Sequence, residues 1–259
     1  MKIVITGCAG MIGSYLTADI LKLYPKEVGH QIIGIDNLSR GKLSNLKEST
    51  GELFDDLIFL KSDLSNYESI WASHFKECDL IIHLADIVAG IGYVFKNESY
   101  IFRTNLLINS NITKAIYESK PKRYIYVGTV CSFPREKQLS IDSKPLIESD
   151  QFPASPESGY GWSKLMGEIE ASYLAKEGIT DSVVLSLHNV YGRYCDYSPS
   201  TSQVIPSLCA KAIQSFATNK TLEIWGDGNQ GRAFVHAKDV VNAIKLAIIL
   251  SILRCQLSP

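Results

Sequence analysis

Residues 1–16 read MKIVITGCAGMIGSYL, and this stretch decides the fold. The apolar run at 2–6 is typical of a buried strand, and Gly7, Gly10 and Gly13 follow it at a spacing of three. In a strand–turn–helix unit, the first glycine permits a tight turn, the second lets backbone N–H groups approach a pyrophosphate, and the third lets the helix pack on the strand. The phosphates then lie at the positive end of the helix. The stretch therefore predicts a dinucleotide-binding site.

The residues after the second predicted strand bear on which dinucleotide is bound. The strand QIIGID ends at Asp36, whose carboxylate can accept hydrogen bonds from an adenosine ribose and would repel a 2′-phosphate, which favours NAD. Arg40 and Lys42 follow in the next loop and would instead favour a 2′-phosphate, so Asp36 alone leaves the choice open. Asp63, after a strand predicted at 57–60, can accept from the adenine amino group or cap a helix.

The composition indicates one α/β core and a small-molecule partner. The 259 residues are 46% hydrophobic, without internal repeats. The formal net charge of −1, from 26 basic and 27 acidic residues, gives no basic patch for nucleic acid or an anionic membrane. Six scattered cysteines lack metal-ligand spacing, so we expect no metal site, no disulfides and a cytoplasmic protein. The apolar run at 2–6 already predicts a strand, so we expect no signal peptide. The apolar stretch at 240–253 is interrupted by Asn242 and Lys245 and predicts an amphipathic helix rather than a membrane span.

Strands and helices alternate along the chain. Strands are predicted at 2–6, 31–36, 57–60, 79–83, 123–127, 182–188 and 221–225, with helices at 100–118, 158–177 and 204–217 and a polar loop at 135–157. This alternation is typical of a Rossmann-type doubly wound parallel sheet.

Two pairs of residues predict chemistry at the carboxyl edge of this sheet. Thr129 and Cys131 follow the fifth predicted strand, at the edge where open α/β sheets bind ligands. Tyr160 and Lys164, in YGWSK, are four residues apart and so share one helix face. A phenol has a pKa of about 10. A nearby ammonium and a positively charged nicotinamide ring would lower this pKa, so that Tyr160 takes a hydroxyl proton while hydride leaves the same carbon. Thr129 would orient the substrate oxygen.

These features together resemble the extended short-chain dehydrogenase/reductase family, which contains nucleotide-sugar epimerases and dehydratases. The matching segments run in the family's order over nearly the whole chain: TGCAGMIG, Asp36, Asp63, HLAD, Thr104-Asn105, GTVCSFP, YGWSK, HNVYG and WGDGNQGRAFVHAKDVV. The resemblance implies NAD as cofactor, a nucleotide-sugar substrate and a homodimer formed through the helices at 100–118 and 158–177.

The resemblance also assigns roles to individual residues. It implies catalytic roles for Thr129, Cys131, Tyr160 and Lys164, with Cys131 as an acid/base on the sugar; from the residue type alone, Cys131 is a small buried hydrophobe. It implies that Asn189 and Arg232 hold the nucleotide sugar, with Arg232 on the diphosphate. The implied cofactor contacts are Gly7, Gly10, Met11, Ile12, Gly13, Asp36, Asn37, Asp63, Leu64, Leu84, Ala85, Asn105, Tyr160 and Lys164.

Within the family, ADIVAGIGYVFKN, GTVCSFP and LHNVYG are most similar to the GDP-mannose 3,5-epimerase branch and less so to the GDP-fucose synthases. This similarity implies an NAD-dependent epimerase that transiently oxidises carbon 4 of the hexose. The lysine that this branch uses is absent from the loop at 198–205, and Ser186 and Arg193 replace a family arginine and proline. Val130-Cys131 stands where dehydratases carry an Asp-Glu pair, which disfavours a 4,6-dehydratase.

Two alternatives stay open: an NADPH-dependent keto-sugar epimerase-reductase, and a truncated, non-catalytic dinucleotide-binding protein. Family members continue beyond the segment RAF, so we expect a small, truncated substrate-binding part. The expected organisation is a Rossmann domain at 1–192, a partial nucleotide-sugar region at 193–236 and a C-terminal helix at 237–259 packing back on the Rossmann domain.

Overall fold

Six parallel strands form the central sheet of the computed structural model, which describes residues 1–139, 142–228 and 231–257, with side chains as far as residue 250. The strands are β1 (Lys2–Thr6), β2 (Gln31–Asp36), β3 (Leu57–Lys61), β4 (Leu80–His83), β5 (Arg123–Thr129) and β6 (Asp181–Leu187). Their spatial order is β3-β2-β1-β4-β5-β6. The predicted Rossmann-type parallel sheet is confirmed.

The order of the strands places a crevice at one edge of the sheet. The chain winds outward from β1 through β2 to β3, and then returns to place β4 on the other side of β1. The connections on either side of this switch point leave toward opposite faces, so the carboxyl ends of β1 and β4 open a crevice. This feature is called the switch-point crevice below.

The described residues form eight α-helices: α1 (Met11–Leu23), α2 (Leu43–Thr50), α3 (Ser69–Ala72), α4 (Ile91–Lys96), α5 (Glu98–Ser119), α6 (Gly159–Lys176), α7 (Val204–Thr218) and α8 (Ala237–Leu257). One core cluster joins α1 and α8 to one face of the sheet, and it includes Leu16 of α1 and Ile244 of α8. The other joins α5 and α6 to the opposite face, around Ile112 and Leu174. Burial on both faces explains why β4 and β5 read as continuous apolar runs.

The strand predicted at 221–225 is wrong, because the structure has irregular backbone there. Its apolar side chains are exposed, Ile224 by 54% and Trp225 by 73%, and no strand among the described residues pairs with this segment. Instead, β7 (Asn189–Tyr191) and β8 (Phe234–His236) form a second, two-stranded parallel sheet. Strands of three residues are too short to show a two-residue periodicity, which is why the sequence did not reveal them.

The remaining segments agree with the sequence in outline. The loop at 135–157 contains only short 3₁₀ turns among its described residues. The sequence GDGNQG at 226–231 predicts a turn; Gly226 and Gly228 have positive φ there, and residues 229–230 lie outside the described part. Within the described ranges, no helix is long and apolar enough to cross a membrane, and no cluster of His, Cys, Asp and Glu has the makings of a metal site. The domain boundaries stay a prediction.

Candidate active site

Three backbone segments meet at the glycine turn between β1 and α1. Gly7 has a φ of +69°, and its N–H donates to the Ile35 carbonyl at 2.8 Å. A Cβ on Gly7 would lie 2.9 Å from the Ala85 nitrogen, and one on Gly13 would lie 2.0 Å from the Gly7 oxygen. Side chains are therefore excluded at both positions, and the close approach predicted from the glycine spacing is present in the structure.

The first turn of α1 fits a pyrophosphate. The helix begins after Gly10, which provides no side-chain cap, and its first turn contains no acidic residue. The first amide with a backbone acceptor in this helix is that of Ser14, which donates to the Gly10 carbonyl at 2.9 Å. The N–H groups of Met11, Ile12 and Gly13 thus lack helical acceptors, as at the start of any α-helix, and lie at its positive end. Such a donor set suits an anion.

Asp36 fits an adenosine ribose at the end of β2. Its two carboxylate oxygens accept from the backbone N–H groups of Ala9, at 3.0 Å, and Leu38, at 2.8 Å. A carboxylate offers about four acceptor positions, so capacity remains for a ribose hydroxyl. Burial raises the pKa of Asp36, and these two hydrogen bonds oppose that rise.

Asp63 forms a local turn. Its Oδ1 accepts from the Ser65 backbone N–H, at 2.9 Å, and from the Ser65 hydroxyl, at 2.8 Å. The side chain of Asn37 also bonds to Asp63, and these hydrogen bonds lower the Asp63 pKa against the effect of burial. The alternative of a helix cap is wrong, because α3 begins only at Ser69.

Arg40 reaches across the switch-point crevice. Its Nη1 donates to the Val88 carbonyl in the segment after β4, and its Nε lies 3.6 Å from Asp196 Oδ2. Lys42 contacts the glycine turn through its backbone, donating to the Ala9 carbonyl at 3.1 Å, while its side chain is exposed. The Arg40 guanidinium therefore already has partners on the far wall of the crevice, a position that the sequence did not reveal.

Several residues that we expect to contact the cofactor either offer only backbone groups to the switch-point crevice or are buried in the protein beside it. The N–H groups of Leu84 and Ala85 each lie 3.2 Å from Thr6 Oγ1. Asn105 is completely buried, and its amide bonds to both backbone groups of Ile87, at 2.8 and 3.1 Å. The side chain of Leu64 is 4% exposed and belongs to the core. Asn105 thus positions the segment after β4, and Leu64 has only its backbone for a contact, while the cofactor contacts expected of both residues stay predictions.

Lys164 is buried on the face of α6 that packs on β5. Its Nζ donates to the Val127 carbonyl at 2.6 Å and lies 2.9 Å from Asp86 Oδ2. The same ammonium lies 4.7 Å from the centre of the Tyr126 ring. The sequence indicated that Tyr160 and Lys164 share a helix face. It did not single out Asp86, which lies three residues after the end of β4.

Tyr160 lies beside the turn that carries Cys131. The next residue in α6, Gly161, is so close to this turn that a Cβ on it would lie 2.2 Å from the Cys131 carbonyl oxygen. Burial raises the pKa of Tyr160, Lys164 lowers it, and Asp86 and Cys131 raise it further. Lys164 thus acts on the Tyr160 pKa in the expected direction, but burial outweighs it among the protein's own groups. The lowering expected from the ammonium together with a bound nicotinamide ring stays a prediction.

Thr129 and Cys131 are held by a hydrogen-bonded turn. Thr129 ends β5, and its Oγ1 accepts from the Cys131 N–H at 3.3 Å. The Ser132 hydroxyl lies 2.7 Å from the Thr129 carbonyl and 3.0 Å from Glu168 Oε1. Glu168 also accepts from Gln151, which ties the loop at 135–157 to the same turn. The sequence missed Glu168, although its position four residues after Lys164 places it on the same helix face.

Cys131 is exposed, which contradicts its interpretation as a small buried hydrophobe. The protein atoms around it still desolvate the thiolate and raise the thiol pKa, while the Thr129 hydrogen bond, Arg232 and Lys164 act in the opposite direction. Arg232 is itself exposed and donates to the Gly231 carbonyl at 2.7 Å. Asn189 lies in β7, and its Nδ2 donates to the Ala233 carbonyl at 3.0 Å. Both proposed substrate residues therefore lie on the small second sheet or next to it.

The chain is similar to known proteins over almost its whole length. The model of the NAD dependent epimerase/dehydratase family matches residues 3–250. GDP-mannose 3,5-epimerase from Arabidopsis thaliana is 29% identical over 244 residues, which are 94% of this chain and 60% of the relative. The chain thus spans less than two thirds of the length of this curated relative.

Two solved structures support the same assignment. UDP-glucose 4-epimerase from Thermotoga maritima, determined with UDP-glucose, has a TM-score of 0.76 at 26% identity, over 95% of this chain and 73% of that one. dTDP-glucose 4,6-dehydratase from Streptomyces venezuelae, determined with NAD bound, has a TM-score of 0.78 at 25% identity, over 96% of this chain and 72% of that one. The predicted fold class, the family resemblance and, for the family, NAD as cofactor are confirmed. The glycine turn, the parallel sheet and the family match over residues 3–250 lead to one conclusion: this chain belongs to the NAD dependent epimerase/dehydratase family.

Proposed function

We propose that the protein is an NAD-dependent nucleotide-sugar epimerase that acts through transient oxidation at carbon 4 of the hexose. One observation carries the proposal: Tyr160 and Lys164 of α6 lie beside the carboxyl end of β5, where Thr129 and Cys131 are. This cluster lies next to the switch-point crevice. Bound NAD would accept the hydride that leaves carbon 4 and would later return that hydride to the sugar.

Tyr160 is the residue that we propose moves the hydroxyl proton. Lys164 is fixed by the Val127 carbonyl and so keeps its positive charge close to the phenol, where it lowers the Tyr160 pKa. Thr129 ends β5 and offers its hydroxyl to the same substrate oxygen, and its contact with the Cys131 N–H holds the turn in place.

Asn189 and Arg232 are the residues that we propose hold the nucleotide sugar. A guanidinium pairs in a bidentate manner with a diphosphate, and Arg232 is exposed for this role. The positive charge of Arg232 acts to lower the pKa of the Cys131 thiol. This electrostatic effect supports a substrate that extends from the small second sheet toward that thiol. The GDP-mannose 3,5-epimerase relative further supports a hexose linked to a nucleoside diphosphate.

NAD is proposed over NADP because of Asp36 and Arg40. Asp36 is held at the end of β2 by two backbone N–H groups, where its charge opposes a 2′-phosphate. Arg40, which would favour that phosphate, is paired with the Val88 carbonyl and lies near Asp196 instead.

The test is the conversion of GDP-, UDP- and dTDP-hexoses, followed by chromatography of the products, in Tyr160→Phe and in the parent. The variant deletes only the phenolic oxygen, so we expect NAD binding by calorimetry to stay near that of the parent and turnover to fall by a factor on the order of 100 to 10,000. Tyr173→Phe is the matched control, because Tyr173 lies on the same helix with 56% exposure. Equal turnover in Tyr160→Phe and the parent would contradict the proposal, and stoichiometric consumption of NADPH would favour the epimerase-reductase.

A further inference from the structure

Asp86 is a buried carboxylate next to the candidate catalytic pair. It follows β4 in the switch-point crevice, and its side chain is 4% exposed. Its Oδ2 lies 2.9 Å from Lys164 Nζ, whose side chain is 6% exposed. The Lys164 ammonium is the main partner of this carboxylate, and the Ile87 N–H adds a smaller contribution.

A buried carboxylate with so few partners contributes little net stability, because the cost of removing it from water offsets its attraction to the ammonium. Its larger consequence is electrostatic. The Lys164 ammonium lies between the Val127 carbonyl on one side and the Asp86 carboxylate on the other, so both its place and its charge depend on these two oxygens.

We propose that Asp86 is a positioning residue of this active site: it fixes the Lys164 ammonium against the end of β5 and counterbalances the effect of that ammonium on Tyr160. The consequence for turnover rests on the function proposed above. The effect on the charge of Lys164 does not, because it concerns only groups of this chain.

The directions of the shifts agree with this geometry. Asp86 and Tyr160 raise the pKa of Lys164 and outweigh the effect of its burial. The same carboxylate adds to the burial that raises the pKa of Tyr160, against Lys164. Replacing Asp86 by a neutral side chain therefore lowers the pKa of both members of the pair.

Other titratable or charged groups face the pair from each element packed around it. His83 of β4 stays neutral, because burial lowers its pKa to about 3. The remaining groups are Tyr126 of β5, Cys131 of the following turn, Glu168 of α6 and Arg40 of the loop after β2. All of them are unchanged in a variant at Asp86, so a shift in that variant reports the carboxylate.

The first test uses the protein alone. Lysine labelled with ¹³C at Cε is titrated by NMR, and Lys164→Met assigns the Lys164 signal. We expect Asp86→Asn to lower the midpoint of the Lys164 titration by about 1 to 3 pH units, the usual effect of a close opposite charge. Asp19→Asn is the matched control, because Asp19 Oδ2 lies 2.6 Å from Lys245 Nζ, away from the site. This control should leave the midpoint of the Lys164 titration unchanged. An unchanged Lys164 midpoint in Asp86→Asn would overturn the proposal.

The second test uses turnover in the parent and in Asp86→Asn. Both limbs of the pH profile should move to lower pH, because the pKa values of Tyr160 and Lys164 both fall. A loss of rate at every pH without movement of the limbs would show a purely structural role and overturn the proposal. A parent without activity on any nucleotide sugar would refute the proposed function and leave the NMR result to decide on Asp86.

If Asp86→Asn does not fold, thermal unfolding of Lys164→Met and of Asp86→Asn/Lys164→Met replaces the titration. We expect the double variant to fold and to unfold at a temperature close to that of Lys164→Met, because it no longer buries an unpaired ammonium. A double variant that fails to fold although Lys164→Met folds would overturn the proposal.

Discussion

Gly13→Ala is a direct test of how the glycine turn positions α1. A Cβ at this position would lie 2.0 Å from the Gly7 oxygen and 2.8 Å from the Cys8 Cα, whereas ordinary contact begins at 3.4 Å. The start of α1 therefore has to move by about 1.4 Å, the difference between 3.4 and 2.0 Å. Gly7 cannot retreat, because its other side is packed against the backbone of Ala85.

The expected loss of stability follows from these contacts. Overpacking against backbone costs about 3 kcal/mol. Alanine regains about 1 kcal/mol over glycine within a helix. The net loss of about 2 kcal/mol corresponds to a fall of about 4 to 8 °C in Tm for a chain of this size. We also expect NAD to bind at least about tenfold more weakly, since the displaced N–H groups of the first turn lose charge-assisted hydrogen bonds worth about 1.5 to 3 kcal/mol each.

Circular dichroism melting and calorimetry with NAD measure these two effects. Gly178→Ala is the control: its φ is +69°, so alanine is strained there, but no atom lies within 4 Å of the added Cβ. The strain costs about 1 to 2 kcal/mol, and NAD binding should not change. The reasoning is refuted if Gly13→Ala binds NAD as tightly as Gly178→Ala does.

Three further outcomes are expected. Burial is the main cause that lowers the pKa of His83 from 6.5 to about 3 in the folded protein. The unfolded chain therefore binds a proton at His83 at a higher pH than the folded protein does, and the folded state loses stability as pH falls from 6.5 toward 3. Urea unfolding at pH 7, 5 and 4 should therefore show a shallower acid loss in His83→Gln than in the parent. The outer faces of α5 and α6 expose Tyr117 and Tyr173, and light scattering should give twice the chain mass of 28.7 kDa, whereas a strictly monomeric mass would exclude the proposed homodimer. Turnover in heavy water should place deuterium on carbon 3 or 5, and Cys131→Ala should lose most of that label while hydride exchange at carbon 4 persists. Equal label in both proteins would assign the base to a residue other than Cys131, and no label in an active parent would indicate a simple 4-epimerase.

The sequence by itself determined the frame of this protein. The three glycines after β1 predicted the turn, because a side chain at Gly13 would overlap the Gly7 backbone whatever the rest of the chain does. Alternating strands and helices predicted the parallel sheet, and YGWSK predicted that Tyr160 and Lys164 share a face, since helical periodicity is a local property.

Only the tertiary structure decided what surrounds that pair. Asp86 lies 78 residues before Lys164 and meets it because β4 and β5 are neighbours in the sheet, a relation that no local pattern contains. The strand predicted at 221–225 failed for the same reason, because a strand needs a partner strand and none of the described strands pairs with this segment. The direction of the Tyr160 pKa also depends on the total burial of the phenol, which is set by elements distant in the chain. Local sequence fixes backbone periodicity and turns, whereas the charge state of a buried group depends on everything packed around it.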